Sequence, residues 1–236
     1  MTGRRIRAPF FEIGPKSYIY GDDVLNLALA ADAASKKYDV DVIFTTPYLE
    51  LRRVREQTDR IFVFAPHMDP IQPGRGLADI LPEGVRAAGA DGVMLNHCER
   101  PMNVASLRQA ILRARALELI SIVCADSIAD AKAIAELHPD IIVAEPSELI
   151  GTGQASSMDY VAASTKAVKD VDPEILVLQG AGISNGQDVY NVIYAGADAT
   201  GSSSGILKAP SPAAMIDEML RAVREAYDRR MAESSN

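Results

Sequence analysis

The chain has 236 residues, of which 48% are hydrophobic, and its formal net charge is −8. This composition is typical of a folded protein and excludes global disorder, and the acidic balance argues against non-specific nucleic-acid binding. Two cysteines, Cys98 and Cys124, are too few for a disulfide framework and favour the cytoplasm. No apolar run approaches the roughly 20 residues of a membrane span, and no signal peptide is recognisable, so no membrane association is expected.

Short and almost continuously apolar segments alternate with helical patterns along the chain. We predict eight strands, at residues 9–13, 40–45, 61–65, 92–95, 120–124, 141–144, 175–178 and 197–201. Continuous apolar character is typical of parallel strands that are covered on both faces.

The segments between these strands carry apolar residues at helical spacing. The first helix is expected to begin near Asp22 and Asp23, whose charges suit a helix N-terminus, and the last has Pro212 near its first turn. No linker divides the chain, so we predict a single domain over residues 1–236, with a frayed tail from Met231 to Asn236.

Eight strand–helix repeats fit either a closed parallel barrel or an open, doubly wound sheet. Open sheets of this kind usually carry a glycine-rich dinucleotide fingerprint after the first strand. Here the first strand runs into Gly-Pro-Lys at 14–16, and a partial match at 180–182 has Asn185 in place of the last glycine. We therefore predict an α/β protein that forms an eight-stranded parallel TIM barrel.

The active face of such a barrel is formed by the carboxyl ends of its strands and the loops that follow them. Lys16 follows the first predicted strand, His97 the fourth and Glu145 the sixth. A carboxylate, an imidazole and an ammonium group suit proton abstraction next to a carbonyl: Glu145 would take the proton, and the other two would stabilise the enediolate oxygens. We predict no metal and no organic cofactor, because His97, Cys98 and Glu99 are adjacent and cannot all converge on one ion.

The loops after the seventh and eighth strands are rich in glycine and serine, with Gly-Ala-Gly-Ile-Ser at 180–184 and Gly-Ser-Ser-Ser-Gly at 201–205. Their backbone N–H groups can approach an anion closely, and these two loops form the common phosphate site of the barrel. The segment 145–153 joins Glu145 to a proline and then to a Gly-Thr-Gly stretch that can act as a mobile lid.

These motifs resemble the triosephosphate isomerase family, and especially its short archaeal form, over essentially the whole chain. The segment 96–100, Asn-His-Cys-Glu-Arg, is similar to the family's His-Ser-Glu-Arg motif, with Cys98 in place of the serine. The segment 145–153 is similar to its base-and-lid motif, and residues 180–184 and 203–205 are similar to its phosphate loops.

The resemblance implies a role for each residue. Glu145 would be the catalytic base, and His97 would be an electrophile that stays neutral while loop closure excludes water. Lys16 would hold the substrate, and Glu99 would be a supporting carboxylate. The remaining implied substrate-binding residues are Ile150 and Gly151 in the lid, and Gly182, Ser203 and Ser204 in the phosphate loops.

Two positions depart from the family pattern. Gly14 stands where the family has the Asn of an Asn-x-Lys motif, and Pro66 stands where the short forms have a Gln. Glu12 shares strand parity with Gly14 and is expected to point into the barrel, where a carboxylate needs a partner. His67 is a candidate for pairing across a subunit contact.

We therefore expect an isomerase of glycolysis, gluconeogenesis and carbohydrate metabolism that converts dihydroxyacetone phosphate to glyceraldehyde 3-phosphate. A homodimer or homotetramer is expected, with residues 70–76 docking into a neighbouring subunit. The alternatives are an isomerase of a four-carbon ketose phosphate, a Schiff-base aldolase that uses Lys16, a non-catalytic sugar-phosphate-binding barrel and a metal enzyme.

Overall fold

The structure is a computed structural model that describes residues 4–150, 152, 156–180 and 182–234. Within these residues eight parallel strands are hydrogen-bonded in sequence order, and the first also pairs with the last. The sheet is therefore a closed barrel, and the predicted TIM-barrel fold is confirmed.

The strands are β1 (Phe10–Ile13), β2 (Asp41–Thr45), β3 (Phe62–Ala65), β4 (Gly92–Leu95), β5 (Ile120–Ala125), β6 (Ile141–Ala144), β7 (Leu176–Gln179) and β8 (Ala199–Gly201). The helices are α1 (Asp22–Tyr38), α2 (Leu51–Gln57), α3 (Pro82–Ala87), α4 (Val104–Ala116), α5 (Ile128–Ala135), α6 (Met158–Lys169), α7 (Gly186–Tyr194), α8 (Ser204–Leu207) and α9 (Pro212–Ser234). Short 3₁₀ turns lie at Tyr48–Glu50 and Ser147–Leu149.

Every predicted strand is present, and the bounds of β4 and β6 are those predicted. The other strands differ at their ends, because a residue can be apolar and buried without joining the sheet. Val40 is fully buried, yet its N–H donates to the carbonyl of Ser35 near the end of α1. Ala125 instead pairs with Ala144, so β5 continues one residue beyond its predicted end.

The barrel has two apolar layers, one inside the sheet and one between the sheet and the helices. The inner layer is formed by alternate residues of the strands, as the pleat of a closed sheet requires. Phe64 belongs to this layer, and a β-carbon at Gly92 would come within 2.4 Å of its ring. Gly92 is therefore part of the packing of the barrel interior.

The last helix, α9, packs against α1 and α7 and extends to Ser234. Fraying of the tail from residue 231 stays a prediction. The side chains of Arg230 and Glu233 form hydrogen bonds near this end of the helix. The Arg230 guanidinium donates to the carbonyls of Ile193 and Ala197, at 2.6 and 3.0 Å, and Glu233 accepts hydrogen bonds from Arg229 and Tyr194. Residues 235 and 236 of the predicted tail lie outside the described residues.

Among the helices of the described residues, none combines the length and the apolar character needed to cross a membrane.

Asp32 on α1 organises the turn that leads into β3. Its Oδ1 accepts hydrogen bonds from the backbone N–H groups of residues 59, 60 and 61, at 3.1, 2.6 and 3.1 Å. Its Oδ2 lies 2.7 Å from the Nζ of Lys36. A single buried carboxylate thus satisfies three backbone donors that no strand or helix pairs.

We expect Asp32→Ala to lower the free energy of unfolding by about 2–4 kcal/mol, because it leaves these donors without their acceptor. Urea denaturation at pH 7 measures the change. The control is Asp59→Ala, which removes a carboxylate that is 90% exposed and pairs with the same lysine, and it should cost less than about 1 kcal/mol. Equal losses in the two variants would show that the three backbone hydrogen bonds contribute nothing.

Candidate active site

A cavity of about 690 Å³ opens at the carboxyl ends of the strands. This volume suits a small molecule. Three predicted site residues, Lys16 after β1, His97 after β4 and Glu145 after β6, line it together. The barrel thus brings an ammonium, an imidazole and a carboxyl group from three separate strands to one cavity.

Glu145 continues the inward-facing row of β6. Ile141 and Val143 belong to the inner layer, and Glu145 is the next residue at the same spacing. Its backbone N–H donates to the carbonyl of Ala125 at 3.0 Å, which extends the ladder between β5 and β6. A β-carbon at Gly180 would lie 2.9 Å from the Cδ of Glu145, so the glycine at the end of β7 leaves room for the carboxyl group.

His97 reaches the cavity because the backbone turns at Asn96, where φ is 58°. Strand alternation alone would direct residues 96 and 97 to opposite faces of the sheet. The Asn96 side chain holds the turn, since it donates to the carbonyl of Cys124 at 3.0 Å and accepts from the N–H of Met102 at 2.9 Å. Asn96 is thus the residue that orients the imidazole.

The imidazole of His97 is held as one neutral tautomer. Its Nδ1 accepts a hydrogen bond from the backbone N–H of Glu99 at 3.1 Å, so the proton of the neutral ring is assigned to Nε2. Burial lowers the pKa of His97, and the nearby charge of Lys16 lowers it further, against the opposing effect of Glu99. The ring can therefore donate a hydrogen bond from Nε2 without carrying a charge.

Lys16 is held in an uncommon backbone conformation, with φ at 50°, the left-handed region that side chains rarely adopt. Its Nζ lies 3.0 Å from the Oε1 of Glu99. Burial lowers the pKa of Lys16, but the hydrogen bond and charge of Glu99 and the charge of Glu145 outweigh burial, and the pKa is raised. Lys16 is therefore an ammonium group at neutral pH.

The loops after β7 and β8 pack directly on each other. The Ser202 hydroxyl donates to the carbonyl of Ile183 at 2.8 Å, and a β-carbon at Gly205 would come within 2.4 Å of the same carbonyl oxygen. Ser202 lies in a predicted phosphate loop, but it was not among the site residues predicted from the sequence. The predicted residues Gly182, Ser203, Ser204 and Ile150 all line the cavity, and Gly151 lies outside the described residues.

Glu12 points into the barrel, as its strand parity predicts, and lines the cavity. The hydroxyl of Thr45 donates to its Oε1 at 2.5 Å, and sequence reasoning did not find this partner. Thr45 ends β2 at an inward-facing position, but the residue that it meets depends on the register between β1 and β2. His67 is buried, and its Nε2 lies 3.3 Å from the Oδ1 of Asp69 in the same chain. Its pairing across a subunit contact stays a prediction.

Fold and site together define the class, a single-domain TIM-barrel protein whose cavity gathers groups suited to proton transfer. The triosephosphate isomerase family model matches residues 16–219. The chain therefore belongs to the triosephosphate isomerase family, and the resemblance seen in its motifs is confirmed.

Archaeal relatives match nearly the whole chain. The triosephosphate isomerase of Sulfurisphaera tokodaii is 34% identical over 229 residues, which are 95% of this chain and 100% of that protein. That of Sulfolobus acidocaldarius is 33% identical over 229 residues, 95% of this chain and 99% of that protein. That of Methanobrevibacter smithii is 35% identical over 212 residues, 88% of this chain and 95% of that protein.

The buried carboxyl of Glu12 should make stability depend on pH. Burial raises the pKa of Glu12 from its ordinary value of 4.5 to about 7, and Glu145 raises it as well, while Thr45 and Lys16 act in the opposite direction. The unfolded chain ionises this group near 4.5. The folded state therefore loses stability relative to the unfolded state as the pH rises from 4.5 through 7.

We expect Glu12→Gln to remove this loss. The free energy of unfolding of the variant minus that of the natural chain should be about 2–3 kcal/mol larger at pH 8 than at pH 5, which means that the variant is relatively more stable at the higher pH. Urea denaturation at the two pH values measures the difference. The control is Glu136→Gln at an exposed position. Its free energy of unfolding should differ from that of the natural chain by the same amount at pH 5 and at pH 8. A difference for Glu12→Gln that does not change with pH would contradict the prediction.

Proposed function

We propose that this chain interconverts dihydroxyacetone phosphate and glyceraldehyde 3-phosphate by moving a proton through an enediolate. The observation that carries the proposal is that Lys16, His97 and Glu145 line one cavity, although they follow three separate strands. The archaeal relatives named triosephosphate isomerase support the three-carbon substrates. Their names do not favour the four-carbon alternative.

Each group has a role in this reaction. The carboxylate of Glu145 removes a proton from the carbon next to the carbonyl, and the carbon–carbon double bond of the enediolate forms as that C–H bond breaks. The same carboxyl group then returns a proton to the neighbouring carbon, while the hydroxyl proton of one oxygen passes to the other oxygen by way of Nε2 of His97, so that the carbonyl forms at the new position. The Nε2–H of His97 and the ammonium of Lys16 stabilise the developing charge on the two oxygens, and Glu99 holds Lys16 in place.

A neutral imidazole suits its role in this reaction. An uncharged ring is a weaker acid than an imidazolium. Its pKa is therefore closer to that of the enediol, and the hydrogen bond that it donates to an enediolate oxygen joins groups of similar acidity. The structure supports this role because the N–H of Glu99 occupies Nδ1, and because burial and Lys16 lower the pKa of His97.

The phosphate group is proposed to bind at the loops after β7 and β8, through backbone N–H groups of Gly182, Ser203 and Ser204. All three residues line the cavity. Ser203 precedes the first turn of α8, where backbone N–H groups have no partner within the helix. Ile150, which also lines the cavity, and Gly151, which lies outside the described residues, are proposed to cover the phosphate.

The charge of Lys16 favours isomerisation over Schiff-base chemistry. An aldolase lysine attacks a carbonyl as a neutral amine and therefore needs a lowered pKa. The pKa of Lys16 is raised, because Glu99 and Glu145 outweigh burial. Lys16 is thus suited to electrostatic stabilisation and poorly suited to nucleophilic attack.

The test of the proposed reaction is Glu145→Gln. We expect kcat to fall by about 10²- to 10⁴-fold, because the general base is lost, while binding of the unreactive glycerol 3-phosphate is kept. A coupled isomerase assay and exchange of the proton next to the carbonyl measure turnover, and calorimetry measures binding.

Glu136→Gln is the control, since Glu136 is an exposed carboxylate at the end of α5 and does not line the cavity. It should keep the activity of the natural chain. If the natural chain and Glu145→Gln share the same residual turnover, the isomerase proposal is wrong and the sugar-phosphate-binding alternative takes its place.

We also propose that the chain forms a homo-oligomer through the rim around the cavity. Tyr20, Leu49 and Leu77 are almost fully exposed, and they belong to the segments after β1, β2 and β3. Exposed large apolar side chains on neighbouring loops are typical of an interaction surface. A second copy of the chain is the proposed occupant, and residues 70–76, in the segment after β3, are proposed to dock there.

The double variant Leu49→Asp with Leu77→Asp should dissociate this oligomer, because it places two charges in an apolar contact. Sedimentation velocity measures the species present. Leu112→Asp on α4, where the side chain is also exposed, is the control and should leave the assembly unchanged. An assembly that resists the double variant, or a natural chain that sediments as a monomer, would contradict the proposal.

We further propose that the protein acts in the cytoplasm. Cys98 and Cys124 are both free thiols, and Cys98 is exposed. A reducing compartment suits an exposed free thiol.

A further inference from the structure

The carboxyl group of Glu12 occupies space that two glycines leave open. A β-carbon at Gly14 would lie 3.0 Å from its Oε1, and one at Gly201 would lie 3.1 Å from its Oε2. Glu12 itself is only 9% exposed, yet it is part of the cavity wall. The carboxyl group is thus fitted between the ends of β1 and β8, and it reaches the cavity from inside the barrel.

The hydrogen bonding of this carboxyl group is incomplete. In the described part of the chain, Thr45 supplies the hydrogen bond to Oε1. Oε2 makes no hydrogen bond within these residues and can still form one with a group in the cavity. A carboxyl group in the cavity wall with one oxygen still able to form a hydrogen bond is suited to bind a polar group of a ligand.

The groups that face Glu12 determine its charge. Thr45 approaches from β2, Cys124 from β5, Glu145 from the end of β6, and Lys16 follows Glu12 along its own chain segment. Burial raises the pKa of Glu12 to about 7 and Glu145 raises it too, while Thr45 and Lys16 lower it. Near neutral pH the carboxyl group is therefore partly protonated, and only the protonated form can donate a hydrogen bond from Oε2.

We propose that protonated Glu12 is a substrate-binding residue that donates a hydrogen bond from its carboxyl group to an oxygen at the carbonyl and hydroxyl end of the phosphosugar. The proposal rests on the proposed isomerase function and deepens it. An anionic phosphate is disfavoured beside a carboxyl group, and its proposed site is on the loops after β7 and β8. The end of the substrate that reaches Glu12 is therefore the uncharged one, which lies between Lys16, His97 and Glu145.

Two substitutions of Glu12 test the proposal. In Glu12→Gln the side-chain amide still donates but does not titrate, so kcat/KM at pH 6 should fall by about threefold. In Glu12→Ala the donor is lost, so kcat/KM at pH 6 should fall by about 10- to 100-fold, and this deficit should shrink above pH 7, where the natural chain loses its donor as well. The isomerase assay is run from pH 5.5 to 9, and ionisation of the substrate phosphate is common to all variants and cancels.

The pH profile separates a binding role from a structural one. In the natural chain kcat/KM should decline as the pH rises through about 7, and this decline should be absent in Glu12→Gln. Thr45→Val removes a hydrogen bond that lowers the pKa of Glu12, so the decline should move to higher pH, and Thr45→Ser should restore its position. Glu136→Gln at an exposed position should match the natural chain throughout.

Three outcomes would overturn the proposal. Glu12→Gln could keep the decline near pH 7, Glu12→Gln and Glu12→Ala could be equally impaired, or Glu12→Ala could be fully active. Each of these leaves the isomerase function standing, because it presupposes an active natural chain. A natural chain without isomerase activity would instead refute the proposed function itself.

Discussion

Closure of the sheet is the constraint on which the site depends. Because β1 pairs with β8 as well as with β2, alternate side chains of every strand point toward one axis. Most of these inward positions hold apolar residues that fill the barrel. Near the carboxyl ends of the strands the same rows hold Glu12, Thr45 and Glu145, which therefore meet although they are far apart along the chain. The polar cavity is the end of an otherwise apolar interior.

Beyond the strand ends the local backbone decides where a side chain points. Both Lys16 and Asn96 have a positive φ, and both lie where the chain leaves a strand for the active-site loops. At Asn96 two side-chain hydrogen bonds stabilise the unusual conformation, and His97 then faces the cavity. Other residues with a positive φ, at Asp39, Glu118 and His138, follow helices, but these two orient functional groups, as strained residues commonly do at active sites.

The barrel could be predicted from the sequence because buried parallel strands are continuously apolar, and this pattern is local. The inward direction of Glu12 could also be predicted, since parity along one strand is a local property. Its partner Thr45 could not, because that contact depends on the stagger between β1 and β2, in which Ile13 pairs with Phe44. A single strand contains no information about its register with a neighbour.

The same limit applies to contacts between loops and between helices. Ser202 and Ile183 were both within predicted phosphate loops, but their hydrogen bond joins two loops whose approach only the closed barrel determines. The hydrogen bonds at the end of α9 could not be predicted from the sequence either. Arg230 donates to the carbonyls of Ile193 and Ala197, which lie in a different part of the chain. The helical spacing of residues within α9 does not predict such a contact.

The pairing of the first strand with the last has a consequence for the newly made protein. This seam runs through the cavity, where Gly201 borders the Glu12 carboxyl group and the N–H of Ser202 donates to the Glu12 carbonyl at 3.0 Å. Joining segments so distant in sequence is slow, since loop-closure entropy is lost before the contacts form. The ribosome must release the chain as far as β8 before the seam can close. Until then the cavity lacks one wall and the edge of β1 is unpaired, which is the kind of strand edge that promotes aggregation.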